Sequence, residues 1–174
     1  MPDEPGRSRC KVSDDSVDSS RAGLALLAAR LVLPGLGPDV DQAIKVACDL
    51  VARGLDTPGT VGVAALRYGT PLRDAGPVIR EMLDEQGFPA AGPDASDAEK
   101  FVTVLRAVGA GGLGVGEFFG VFMRQVPAWN QQDEFQRSLV LLLDEWAEET
   151  TPEGRSAAAA AVRKVARDAV SDPG

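Results

Sequence analysis

The chain has 174 residues, 18 basic and 26 acidic, for a formal charge of −8, and is 44% apolar but only 5% aromatic. That length suits one domain burying about 70% of its unfolded surface, and the scarcity of rings leaves packing to Ala, Leu and Val, a composition for closely approaching helices. The acidic balance argues against a general nucleic-acid binder, which needs a basic face to displace counterions.

Further classes fall to composition. There is no histidine, so Ser-His and Cys-His nucleophile pairs and His-containing zinc sites are absent, and two cysteines cannot supply four thiolates. Cys10 in a polar stretch and Cys48 on a helical face imply no disulfide framework and a reducing, cytoplasmic compartment. No run reaches the ~20 apolar residues of a membrane span, and the acidic residues ahead of Leu24 to Leu33 oppose an export signal. Arg in excess of Lys, with abundant Ala, Gly, Val and Asp, marks GC-rich bacterial coding.

Residues 1 to 18, rich in Pro, Ser and Asp without apolar period, predict a disordered tail. A single helical domain is expected over 19 to 174. Its first helix starts near Ser20 with Leu24, Leu27, Ala28 and Leu31 on one stripe. A second, capped by Asp39 or Asp41, carries Ile44, Ala47, Cys48 and Val51 inward and stops at Gly54. Thr57-Pro58 opens a short helix that Gly69 closes, and another runs from about Ala75 to the stop at Gly87 with Ile79, Met82 and Leu83 inward. The Pro- and Gly-rich 88 to 95 stretch is a loop between two half-bundles.

Beyond it, Ser96 and Glu99 form a capping box before the stripe Phe101, Val104, Leu105 and Val108. A sixth helix holds Val115, Phe118, Phe119, Phe122 and Val126 and ends at Pro127. Asn130 then caps the longest helix, to about Glu149, whose apolar Leu139 to Leu143 core marks it as central. Thr151-Pro152 starts an alanine-rich final helix. The predicted fold is an all-α bundle of seven or eight helices, with no period-2 strand pattern.

Three motifs invite a function. Gly109-x-Gly111-x-x-Gly114 spells a dinucleotide-binding turn, which needs a preceding strand and a later acidic residue; the capping box and helical spacing of Phe101 to Val108 favour a turn between helices. Asp56-Thr-Pro-Gly59 imitates a GTPase switch but lacks any phosphate-cradling loop, and reads as a turn and N-cap. The third motif is acidic: Glu81, Asp84 and Glu85 on one helix, Asp144, Glu145, Glu148 and Glu149 on another. Glu81 with Asp84 and Glu145 with Glu148 share helical faces and offer oxygen ligands for Mg²⁺, an arrangement similar to the all-helical nucleotide pyrophosphohydrolases, though in a different order and spacing.

Both acidic groups lie in last helical turns, where the macrodipole disfavours carboxylates, a double breach that marks either functional sites or, as short acidic strings commonly do, plain solvated faces. Arg155 is placed to neutralise Glu148. Trp129 is a candidate partner anchor, Trp146 a core residue, and Arg163, Lys164 and Arg167 a solvated basic face. Phe118, Phe119 and Phe122 are core residues or the lining of a small-molecule pocket.

At "ACDLVARGLDTPGTVGVAAL" followed by "VIREMLDEQGF" the chain resembles small all-helical actinobacterial proteins, some of them immunity-like or accessory. The resemblance covers residues 40 to 167 through helix punctuation, carries over no catalytic residue, and implies a turn at Gly109 to Gly116. The leading expectation is a non-enzymatic interaction module, immunity-like or regulatory, with no cofactor. Trp129, Asp144, Glu145, Glu148 and Glu149 would engage a basic surface of another protein, not nucleic acid or membrane. An Mg²⁺-dependent hydrolase using Glu81, Asp84, Glu145 and Glu148, and a small-molecule carrier, are the alternatives.

Overall fold

The computed structural model describes residues 14–33, 37–125 and 133–171. Among them are eight helices and no strand: α1 (Asp14–Val32), α2 (Val40–Ala52), α3 (Pro58–Ala64), α4 (Leu72–Glu85), α5 (Asp97–Gly109), α6 (Val115–Gln125), α7 (Glu134–Glu148) and α8 (Pro152–Ser171). No described helix is long and apolar enough to cross a membrane.

Punctuation positions these helices much as the sequence predicts. Gly54, Gly87 and Gly111 each sit at φ near +78°, the left-handed conformation that glycine adopts without a Cβ penalty. At each, the glycine N–H and the next one bond back into the helix: Gly87 to Asp84 O and Phe88 to Leu83 O close α4, and Gly111 to Val108 O and Gly112 to Ala107 O close α5. This double return satisfies carbonyls that a helix end leaves bare. The Ser96–Glu99 capping box opens α5, with Ser96 N–H donating to Glu99 Oε2 at 2.8 Å and Glu99 N–H donating to Ser96 Oγ at 3.3 Å.

One contiguous apolar core draws on all eight helices. Its centre is α5, packed against α1 on one side and α8 on another, while α2, α3 and α4 pack among themselves and meet α1. Thr103, Val104, Leu105, Ala107, Val108 and Gly109 are all buried on α5, too many for a single stripe, as befits a helix covered on several sides. Thr103 keeps its buried hydroxyl satisfied by donating to Glu99 O at 3.2 Å and accepting from Ala91 N–H at 3.4 Å. With Arg80 donating to Ala91 O at 3.1 Å, this bond tacks the 88–95 loop onto α4 and α5.

Five expectations need correction, the first being the stop at Gly69: α3 ends at Ala64, with Ala65 as its C-cap. The longest helix is α8, and α7 is not central: Leu139 and Leu143 are buried, but Leu141 is 69% exposed, because α7 packs chiefly on α8 and so buries only a stripe. Its N-cap is Asp133, whose carboxylate accepts from Phe135 N–H at 2.9 Å; Asn130 lies outside the described residues, as do Cys10, Val126, Pro127 and Trp129. The inward face of α2 is Val40, Ala43, Ile44, Ala47 and Leu50, which turns Val51 and the free Cys48 to solvent. Finally, α1 begins at Asp14, earlier than its apolar period signals, in an acidic stretch that suits the positive end of a helix.

Candidate functional site

The glycine fingerprint resolves into helix packing. Phe101 to Val108 lies within α5, so no strand precedes the glycines, and each has its own task. A Cβ on Gly109 would come within 2.8 Å of Arg167 Cγ and 3.1 Å of Arg167 N, and one on Gly112 would run into the carbonyl of Ala22 on α1. Gly111 supplies the positive φ that ends α5. Gly109 and Gly112 therefore admit α8 and α1 to close contact with α5, and the motif spends its glycines on neighbours inside the chain.

The Asp56-Thr-Pro-Gly59 motif is likewise structural. Thr57 caps α3, and Gly59, at the second helical position, donates its N–H to Glu85 Oε2 at 2.8 Å. A Cβ at Gly59 would sit 2.5 Å from Met82 N, so only glycine lets α3 lie against α4. Gln86 closes the joint by donating to Thr60 Oγ1 at 3.0 Å, which leaves the buried Thr60 hydroxyl satisfied. Glu85 thus stands at the wrong end of its own helix and the right end of its neighbour.

The same device recurs at the turn between α7 and α8. Glu149 Oε1 accepts from both the N–H and the hydroxyl of Thr151 at 2.9 Å, while Thr151 Oγ1 accepts from Gly154 N–H at 3.1 Å. The Thr151 bonds, backbone first, hold the Glu149 carboxyl below its ordinary range. Gly154 leaves room for that carboxylate, which a Cβ there would push aside. Each acidic helix end therefore contributes one glutamate to the N-terminus of another helix, and for Glu85 and Glu149 this removes the electrostatic breach.

Asp144, Glu145 and Glu148 are different. All three are exposed, and among the described residues none makes an ion pair or hydrogen bond. Arg155 does not neutralise Glu148. Its Nη2 and Nε donate to Glu149 O at 2.8 and 3.3 Å, and its guanidinium lies 5.6 Å from the centre of the Trp146 ring. That ring is half-buried against Phe119, with centroids 6.1 Å apart, instead of fully enclosed. Leu141, the most exposed large apolar side chain described, stands three, four and seven positions before Asp144, Glu145 and Glu148, so the four share one outward face of α7.

The two acidic groups do not meet. Glu81 and Asp84 belong to α4, packed on α3, α1 and α2, whereas Glu145 and Glu148 belong to α7, packed on α8. Among the described residues no three His, Cys, Asp or Glu side chains are grouped to hold a metal. Phe118 and Phe122 are fully buried and packed with Phe101, centroids 5.7 to 6.5 Å apart, so these rings fill the core.

A cleft that the sequence did not reveal opens where α4, α5 and α8 end, with a volume of about 480 Å³. Arg21 of α1, Arg106 of α5 and Arg167 of α8 line it together with Phe88, Gly109 and Val170. Arg167 Nη1 donates to Gly109 O at 3.3 Å, and Arg106 Nη1 donates to Pro89 O at 3.5 Å. The Arg21 guanidinium lies 5.5 Å from the centre of the Phe88 ring. The three arginines lie at positions 21, 106 and 167, so no local pattern announces their meeting. Comparison with protein-family models, curated proteins and solved structures finds no match for the chain.

Proposed function

We propose that the chain is a non-enzymatic protein-binding module, regulatory or immunity-like, that grips a basic patch of a partner protein with the outward face of α7. The observation that carries this reading is the stripe Leu141, Asp144, Glu145 and Glu148, an exposed apolar side chain beside carboxylates with no partner among the described residues. An apolar anchor beside charge is the make-up of an interface hot spot and its rim. Unpaired carboxylates on a body of charge −8 would steer a cationic surface toward it and favour partners of that sign. Glu149 belongs to this end of the molecule as a cap for α8 and not as a contact residue.

The test is affinity capture from host extract with the full chain, beside the triple variant D144N/E145Q/E148Q and the single variant Leu141→Ser. A basic protein retained by the wild type, released by moderate salt and lost with both variants is the expected result. Equal capture by the wild type and both variants, with folding intact, rejects the proposal.

A further inference from the structure

Arg21, Arg106 and Arg167 line one small cleft in a protein of net charge −8, and no Asp or Glu is among the described residues that line it. Among the described residues none of the three forms an ion pair. The nearest carboxylate in sequence, Asp168, is already held by Lys164 at 2.9 Å. Like charges brought together repel unless something of opposite sign joins them. Backbone carbonyls at the ends of α5 and of the 88–95 loop supply part of that compensation, but they occupy one donor each of Arg106 and Arg167. A guanidinium carries five N–H donors, and among the described residues that of Arg21 makes no hydrogen bond and lies over the Phe88 ring.

We propose that this cleft binds the phosphate monoester of a small organic molecule. A phosphate monoester carries a charge near −2 at neutral pH and three free oxygens, enough to be shared by three guanidinium forks, whereas a carboxylate offers two oxygens and suits one fork. The volume of about 480 Å³ falls within the range of small-molecule sites and far exceeds the phosphate group alone. The remainder faces Phe88 and Val170, an apolar wall for the organic part. Gly109 builds the site, since any side chain there would displace Arg167.

This inference is independent of the α7 surface, and its test reads different residues. The full chain is titrated calorimetrically and melted with phenyl phosphate, glycerol 3-phosphate, adenosine monophosphate, adenosine, inorganic phosphate and citrate. At least one monoester is expected to bind and raise Tm by linkage, more tightly than inorganic phosphate, with adenosine inert. Arg21→Gln, Arg106→Gln and Arg167→Gln should each weaken that monoester at least about tenfold, the scale of a lost hydrogen bond to a charged group. Arg73→Gln, at the far end of α4, should leave it unchanged. The Arg21 side chain makes no hydrogen bond among the described residues, so its variant keeps the test valid even where the other two destabilise. The proposal is overturned if no monoester binds, if Arg21→Gln binds as the wild type does, if inorganic phosphate binds as tightly as any monoester, or if citrate alone binds.

Discussion

The two ends of α8 present opposite chemistries. Around its first turn lie Asp144, Glu145, Glu148, Glu149 and Glu153, and near its last turn Arg167 is joined by Arg21 and Arg106. On α8 itself Glu153 and Arg167 stand 14 residues apart, about 21 Å along the helix axis. Of the acidic residues, Glu149 and Glu153 lie at the N-terminal turn of α8, where its dipole favours anions, whereas the last turn of α8 holds no basic residue. The contrast lies in how each was assembled. The acidic end is local, written within the ten residues from Asp144 to Glu153, while the cationic cleft is gathered from three helices far apart in sequence and depends on close backbone approach.

That contrast can be broken most severely at Gly112. Gly112→Ala drives a methyl into the Ala22 backbone of α1, beside Arg21, and should cost about 3 kcal/mol, the upper range for overpacking, read by chemical denaturation. The cleft should be disturbed while the α7–α8 turn keeps its structure, seen as an unchanged Trp146 emission. Gly109→Ala meets the flexible Arg167 stem first and should cost less, about 1–2 kcal/mol, with weaker binding of any anion that the wild-type cleft accepts.

At the acidic end the individual carboxylates should divide by role. Glu149→Gln weakens an α8 cap and should lower Tm by a few degrees. The Glu149 carboxyl is held below its ordinary range by Thr151, and Glu99 likewise by the Ser96 side chain and backbone. Depressed carboxyl values contribute stability above about pH 4.3, and that contribution is lost as pH falls through the lowered values. Acid titration of wild type against Glu149→Gln should therefore show a smaller loss in the variant over that window. The smallest effect belongs to D144N/E145Q/E148Q, which removes mutual repulsion among unpaired groups and should leave Tm equal or slightly higher. A clear fall would reveal internal partners for them.

What the sequence made legible was punctuation. Gly54, Gly87, Thr57-Pro58 and the Ser96–Glu99 box act through bonds spanning a few residues, so their meaning survives without knowledge of the fold. Which way each helix turns was harder. The α2 pattern fits two overlapping faces, and only packing against α1 and α3 selects the one that exposes Cys48 and Val51. The run Leu139 to Leu143 suggested a central helix, yet hydrophobicity on all sides does not oblige every side to be covered. Arg167 looked like a solvated stripe with Arg163 and Lys164; its contact with Gly109, 58 residues away, follows from tertiary packing alone.

The placement of α8 between these two poles has a consequence for encounter in solution. The exposed carboxylates of α7 and the arginine-lined cleft carry opposite local charge, so a charged object is drawn toward one and away from the other before any surfaces touch.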